Sequence, residues 1–159
     1  DELDVDIAIS NRPLLQLGLQ EIPLLQDEWV LVASTALAAR LAGVPQAQHH
    51  EHADLICLEE SLTGDATAPL FLGPLARFRK RAIYDDARLM LDATLDGTVI
   101  ACLPRLLVDA SIKRGQLEIL PDYPRLPGTT WWLSGVTEMA RSEIVVQVFK
   151  WLHAQGLEP

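Results

Sequence analysis

Residues 84–104, YDDARLMLDATLDGTVIACLP, leave a chain like this few ways to fold. Two carboxylates open the stretch, a mostly apolar helical run follows, Gly97 interrupts, and a short run rich in β-branched residues ends at proline. Asp85 and Asp86 are good N-cap residues, because a side-chain oxygen there accepts from the first free backbone N–H groups of a helix. Across 87–96 the polar residues Arg88, Asp92 and Asp96 fall four apart, on one narrow stripe. Ala87, Met90, Leu91 and Thr94 follow the i, i+3, i+4, i+7 spacing of a buried face. Gly97 suits the left-handed conformation that ends a helix. Residues 98–103 then suit a strand buried on both faces, as in a parallel sheet. A helix N-terminus at the edge of such a sheet is where α/β proteins tend to hold small ligands.

Strand and helix signals alternate through the rest of the chain. Strands are expected at 4–10, 29–33, 54–58, 116–120 and 129–134, with another inside 76–84. Ser34 caps a short helix with Leu37 and Leu41 on one face. Pro104 suits the first turn of a helix over 105–113, and Ser142 caps one over 141–153. Residues 14–25 have no clean period and read as loop with an extended end. Residues 46–53 read as a polar surface connection, 59–73 as a weakly patterned loop and 122–128 as a crossing loop. This order is α/β with an at least partly parallel sheet. The block between Asn11 and Gly128 suffices for a small α/β lobe, and the first strand and last strand-plus-helix lie outside it. One lobe inserted into another, with two crossings, is the simplest arrangement. A chain that opens on a strand without an initiating methionine is expected to be a fragment of a longer polypeptide.

The 159 residues suit one domain or two small lobes, and 49% hydrophobic content supplies a core. A net charge of −9 repels phosphate backbones, so this chain alone is a poor nucleic-acid binder. No apolar run reaches membrane-spanning length. Cys57 and Cys102 lie in apolar surroundings and read as buried, reduced thiols, which points to a cytoplasmic setting.

The polar clusters each have a plain reading beside a functional one. Asp85 and Asp86 are helix caps, or they tune a ligand site at the helix N-terminus towards cationic, zwitterionic or neutral molecules. Ser10, Asn11 and Arg12 make an ordinary turn, or they offer donors and acceptors suited to binding. His49, His50, Glu51, His52 and Asp54 supply metal-ligand types, but on a surface connection adventitious binding is the better reading, and no metal is assigned. Arg77, Arg79 and Arg81 at period two fit the wet face of an edge strand better than a nucleic-acid patch. Trp131 and Trp132 are adjacent, so a strand turns them to opposite faces. Ser34 and Ser61 lack a nucleophile-elbow setting, and no phosphate-binding glycine fingerprint occurs. No catalytic residue and no cofactor are expected.

In order and spacing, DVDIAIS, EWVLVASTALAARL, DDARLMLDATLDGTVIACLP, GQLEIL, WWLS and ARSEIVVQVFKWL resemble the effector-binding domain of LysR-type transcriptional regulators, in the branch of the glycine-cleavage activators. The resemblance implies a periplasmic-binding-protein-like fold: two α/β lobes, two crossing segments and a ligand cleft between them. Residues 1–11 and 129–159 would be the remainder of a partial lobe one, and residues 12–128 a complete lobe two. The family's N-terminal winged helix-turn-helix has no counterpart here, so DNA would be reached only through a domain outside this chain. The expected ligand-binding set is Ser10, Asn11, Arg12, Asp85, Asp86, Leu103 and Pro104. The expected function is sensing of a small-molecule effector, in a dimer or tetramer, to control transcription. An exported solute-binding protein of related fold is the alternative, and a small α/β enzyme stands behind it.

Overall fold

The computed structural model describes residues 8–10, 20–135, 150, 151 and 154, with side-chain environments over 25–130 and at 150, 151 and 154. The helix expected over 141–153 and its cap lie almost wholly outside the described residues. The elements in chain order are β1 (Ala8–Ser10), β2 (Gln20–Ser34), α1 (Thr35–Ala42), a 3-10 helix (Gln46–Glu51), β3 (Asp54–Leu58), α2 (Glu60–Thr63), α3 (Ala68–Phe71), β4 (Lys80–Tyr84), α4 (Ala87–Leu95), β5 (Val99–Pro104), α5 (Arg105–Lys113), β6 (Leu117–Ile119) and β7 (Leu126–Gly135). The chain divides into two units, Asp1–Asp27 with Gly128–Pro159, and Glu28–Pro127. In the first unit β1 pairs antiparallel with β7, Ile9 opposite Leu133 and Ser10 opposite Trp132.

The second unit is a mixed sheet in the order β6-β2-β5-β3-β4. β5, β3 and β4 are parallel to one another, and β2 runs antiparallel to both β5 and β6. The α/β reading is therefore correct, and the parallel part lies where buried strands were expected. Alternate side chains of these strands enter two apolar clusters. Leu31, Leu55, Ile100 and Cys102 pack with Leu37 and Leu41 of α1 and Leu70 of α3. Val32, Ile56, Val99 and Leu103 pack with Met90 of α4 and Val108 of α5. The sheet is thus covered on both faces, as parallel strands require.

Polar contacts fix the ends of these elements. Oγ of Ser34 caps α1 by accepting from the Leu37 N–H at 3.2 Å. Gly97 follows α4 with φ +93°, and a Cβ there would meet Oγ of Ser34 at 3.2 Å. Oδ2 of Asp54, at the start of β3, accepts from Arg81 Nε at 3.0 Å and pairs with Nη2 at 2.9 Å. Arg81 Nη1 also donates to Oγ1 of Thr98 at 3.0 Å. One guanidinium therefore ties together the starts of three adjacent strands.

Four sequence expectations need adjustment. β2 spans 15 residues instead of 29–33, because strand pairing overrides the weak local signal around Pro23. β4, Lys80–Tyr84, lies inside 76–84 as expected, but its arginine spacing does not hold. Leu55 pairs with Lys80 and Ile56 with Ala82, so Arg81 is the extra residue of a bulge, which breaks the period of two. The loop at 59–73 contains two single-turn helices too short to show a period. The connection at 46–53 is not wholly surface: His49 is only 2% exposed. Its Nε2 faces the carbonyls of Leu41 (3.0 Å) and Val44 (2.8 Å), so in the neutral ring that nitrogen carries the proton. Nδ1 then accepts from the Tyr123 hydroxyl at 2.9 Å. Among the described residues, no group of three or more His, Cys, Asp or Glu is placed to hold a metal.

Two measurements test this framework. Gly97→Ala forces a side chain into left-handed backbone beside the α1 cap and should cost about 1–2 kcal/mol, read as a fall in Tm of about 2–4 °C per kcal/mol. The Tyr123 hydroxyl is pushed up from 10.0 to about 12, first by burial and then by the neighbouring Asp122 carboxylate. Between these values the unfolded chain releases this proton and the native chain keeps it, so native stability falls as pH rises. Urea denaturation should show Tyr123→Phe less stable than wild type below pH 10, with the gap closing towards pH 12.

Candidate functional site

Because β3, β4 and β5 are parallel, their carboxyl ends at Leu58, Tyr84 and Pro104 lie along one edge of the second unit's sheet. Each strand end leads into a helix: α2 after Leu58, α4 after Tyr84 and α5 after Pro104. Trp29 of antiparallel β2 pairs with Pro104, so it belongs to the same edge. β3 separates β4 from β5, which places Asp85 and Pro104 about 10 Å apart along the edge. Ligands of α/β proteins gather at such strand ends.

The two adjacent carboxylates do different work. Oδ1 of Asp86 accepts from the Arg88 N–H at 2.8 Å and the Leu89 N–H at 3.4 Å, so this side chain caps α4. Asp85 is exposed and forms no hydrogen bond or ion pair among the described residues. The α4 N-terminus is therefore occupied by its own chain, and Asp85 is the acceptor left at this position. Leu103 is fully buried in the cluster under α4 and α5, whereas Pro104 is half-buried at the α5 N-cap. Ser10 ends β1 in the first unit, and Asn11 and Arg12 lie outside the described residues.

Sequence reasoning missed the other groups at this edge. Arg105, the first residue of α5, pairs through Nε with Glu28 Oε2 at 3.3 Å, and its Nη1 stands 3.8 Å from Asp109. Arg125 approaches the same Glu28 oxygen at 3.5 Å. The 28–105 separation leaves no local pattern to read; the one available signal was a charged residue placed directly after Pro104. Half-buried Trp29 supplies an aromatic surface beside them.

This edge can hold a ligand through hydrogen bonds and apolar contact. Covalent chemistry has no support in the thiols. Burial pushes the Cys102 thiol up to about 12, with adjacent Cys57 adding to the rise. Burial also raises Cys57, against a smaller opposing effect of Lys80. Both thiols therefore stay protonated near neutral pH.

The family model described as the LysR substrate binding domain matches residues 1–156. Comparison with curated proteins finds no match. Among solved structures, the chain is similar to the effector domain of the transcriptional regulator AmpR of Pseudomonas aeruginosa, at 14% identity and TM-score 0.58, covering 96% of this chain and 75% of that one. It is similar to the apo regulatory domain of HypT from Salmonella typhimurium, at 18% identity and TM-score 0.53, covering 96% and 73%. Full-length LysG from Corynebacterium glutamicum, with its effector Arg bound, matches at 17% identity and TM-score 0.55, covering 96% of this chain and 52% of LysG. At these identities the likeness is one of fold, and the chain spans about half of the full-length regulator. With its α/β sheet and a family match across nearly its whole length, the chain belongs to the LysR substrate-binding-domain family, whose fold is periplasmic-binding-protein-like.

Proposed function

We propose that this chain is the ligand-sensing part of a LysR-type transcriptional regulator, and that a small-molecule effector docks at the strand edge marked by Asp85, Pro104 and Trp29. The family match over residues 1–156 carries this reading and favours a regulator over an exported solute-binding protein. Effector binding biases a DNA-binding segment outside this chain by favouring one of its states. The charge of −9 fits that division of labour, since an acidic domain does not itself grip a phosphate backbone. Residues 12–128 form lobe two in this reading, residues 1–11 and 129–159 belong to lobe one, and the parent works as a cytoplasmic dimer or tetramer. Placement in the glycine-cleavage-activator branch rests on the order and spacing of the sequence blocks from DVDIAIS to ARSEIVVQVFKWL, with no single block decisive. Among the described residues no helix is long and apolar enough to cross a membrane.

The edge chemistry favours effectors with hydrogen-bond donors, because Asp85 offers an acceptor and Asp86 already occupies the first N–H groups of α4. LysG, with its bound Arg, makes amino acids a reasonable first set of candidates. A thermal-shift screen of amino acids and small organic acids should give at least one compound that raises Tm. Asp85→Ala should then weaken that compound about fivefold, as expected for an exposed charge contact worth about 1 kcal/mol. An unchanged midpoint in Asp85→Ala would remove the edge site from this proposal.

A further inference from the structure

The second unit holds a cavity of about 410 Å³ that none of Asp85, Asp86, Leu103 or Pro104 lines. It is formed around the two short helices α2 and α3, beside the amino end of β4. Its volume falls in the range of small-molecule sites. Thr67 lines it, is 4% exposed, and stands at the α3 N-cap without a side-chain capping bond. Its hydroxyl has no hydrogen-bond partner among the described residues. A buried hydroxyl without a partner is unfavourable, so its presence in a cavity wall points to something that bonds it there.

The rest of the wall gives that something a chemical character. Glu60 and Asp65 are exposed carboxylates with no ion pair among the described residues. Lys80 supplies the opposite charge, its Nζ held 5.5 Å from the centroid of the Phe71 ring. Leu58 and Phe71 add apolar surface. Two carboxylates and one ammonium around an apolar wall suit a molecule that carries both charges. A ligand ammonium meets Glu60 or Asp65, its carboxylate meets Lys80, and the Thr67 hydroxyl bonds either group because it both donates and accepts.

We propose that this cavity, which meets the strand edge only at Leu58 and includes none of Asp85, Pro104 and Trp29, is a second ligand site for a small aminocarboxylate zwitterion with a short apolar side chain. The site goes beyond the proposed effector edge and does not depend on it. The test is isothermal titration calorimetry of the 159-residue chain with L-leucine as probe. 3-Methylbutylamine and 4-methylpentanoate, each carrying one of leucine's two charges, serve as comparators. Leucine should bind saturably, and each comparator about tenfold more weakly or worse. Thr67→Val and Lys80→Met should each weaken leucine about tenfold. Without ligand, Thr67→Val should raise Tm by about 2–4 °C, because it removes an unpartnered buried hydroxyl. Stabilised apo protein combined with weakened binding is a pattern that a purely structural threonine does not give. Absence of saturable heat, equal binding of a single-charge comparator, or leucine affinity that survives both Thr67→Val and Lys80→Met would overturn the proposal. Loss of leucine binding in Asp85→Ala would place the probe at the strand edge, overturning this site while leaving the proposed function standing.

Discussion

Residues 99–104 run through the second unit with alternate side chains in two separate apolar clusters, and the remaining elements are arranged around that requirement. Ile100 and Cys102 belong to the face covered by α1 and α3, and Val99, Ala101 and Leu103 to the face covered by α4 and α5. Burying each Val, Ile or Leu side chain contributes about 1.5–3 kcal/mol. That stabilisation is available only if helices cover both faces. A strand apolar on both sides also needs paired strands along both edges, which β3 and β2 provide. The direction of β3 and β4 follows from the helical crossovers, and the gathering of three strand ends at one edge follows from their direction.

Opposite ends of the sheet then differ in how their polar groups are used. At the amino ends, Arg81 links Asp54 and Thr98, and Gly97 packs against the Ser34 cap of α1. Asp54, Arg81 and Thr98 satisfy one another there and Ser34 accepts from the α1 backbone, which suits a fixed scaffold. His49 extends the same logic, since one imidazole holds the end of α1, the 3-10 helix and the Tyr123 segment together. At the carboxyl ends the residues are less fully used. Asp85 has no partner among the described residues, and Pro104 and Trp29 are only half-buried.

Local periodicity made α4, β5 and α5 readable from sequence, because their apolar spacing, caps and terminating glycine all agree. Gly97 is the clearest case: a left-handed residue was expected, and its φ is +93°. The missing information was non-local. Nothing around His49 announces that Tyr123, seventy-four positions later, covers it. The bulge at Arg81 depends on β3, and the Glu28 contacts depend on residues brought up from 105 and 125. A run of histidines or arginines looks the same whether its members face water or a distant partner. The candidate site was legible to the same degree: Asp85 and Asp86 were found as a pair, but only geometry separates the cap from the free acceptor.

That separation bears on how the edge can discriminate among ligands. Two equivalent carboxylates would have made a strongly cation-selective spot, but Asp86 is turned into its own helix and Arg105 is paired with Glu28. An exposed charge such as Asp85 adds at most about 1 kcal/mol to binding. Covering about 100 Å² of apolar surface on Trp29 and Pro104 adds roughly 2.5 kcal/mol. In the proposed effector site, shape and apolar contact therefore set most of the affinity, while Asp85 selects against ligands that present an acceptor or a negative charge to it. A site of this proposed kind tells chemically similar ligands apart by where their donors lie.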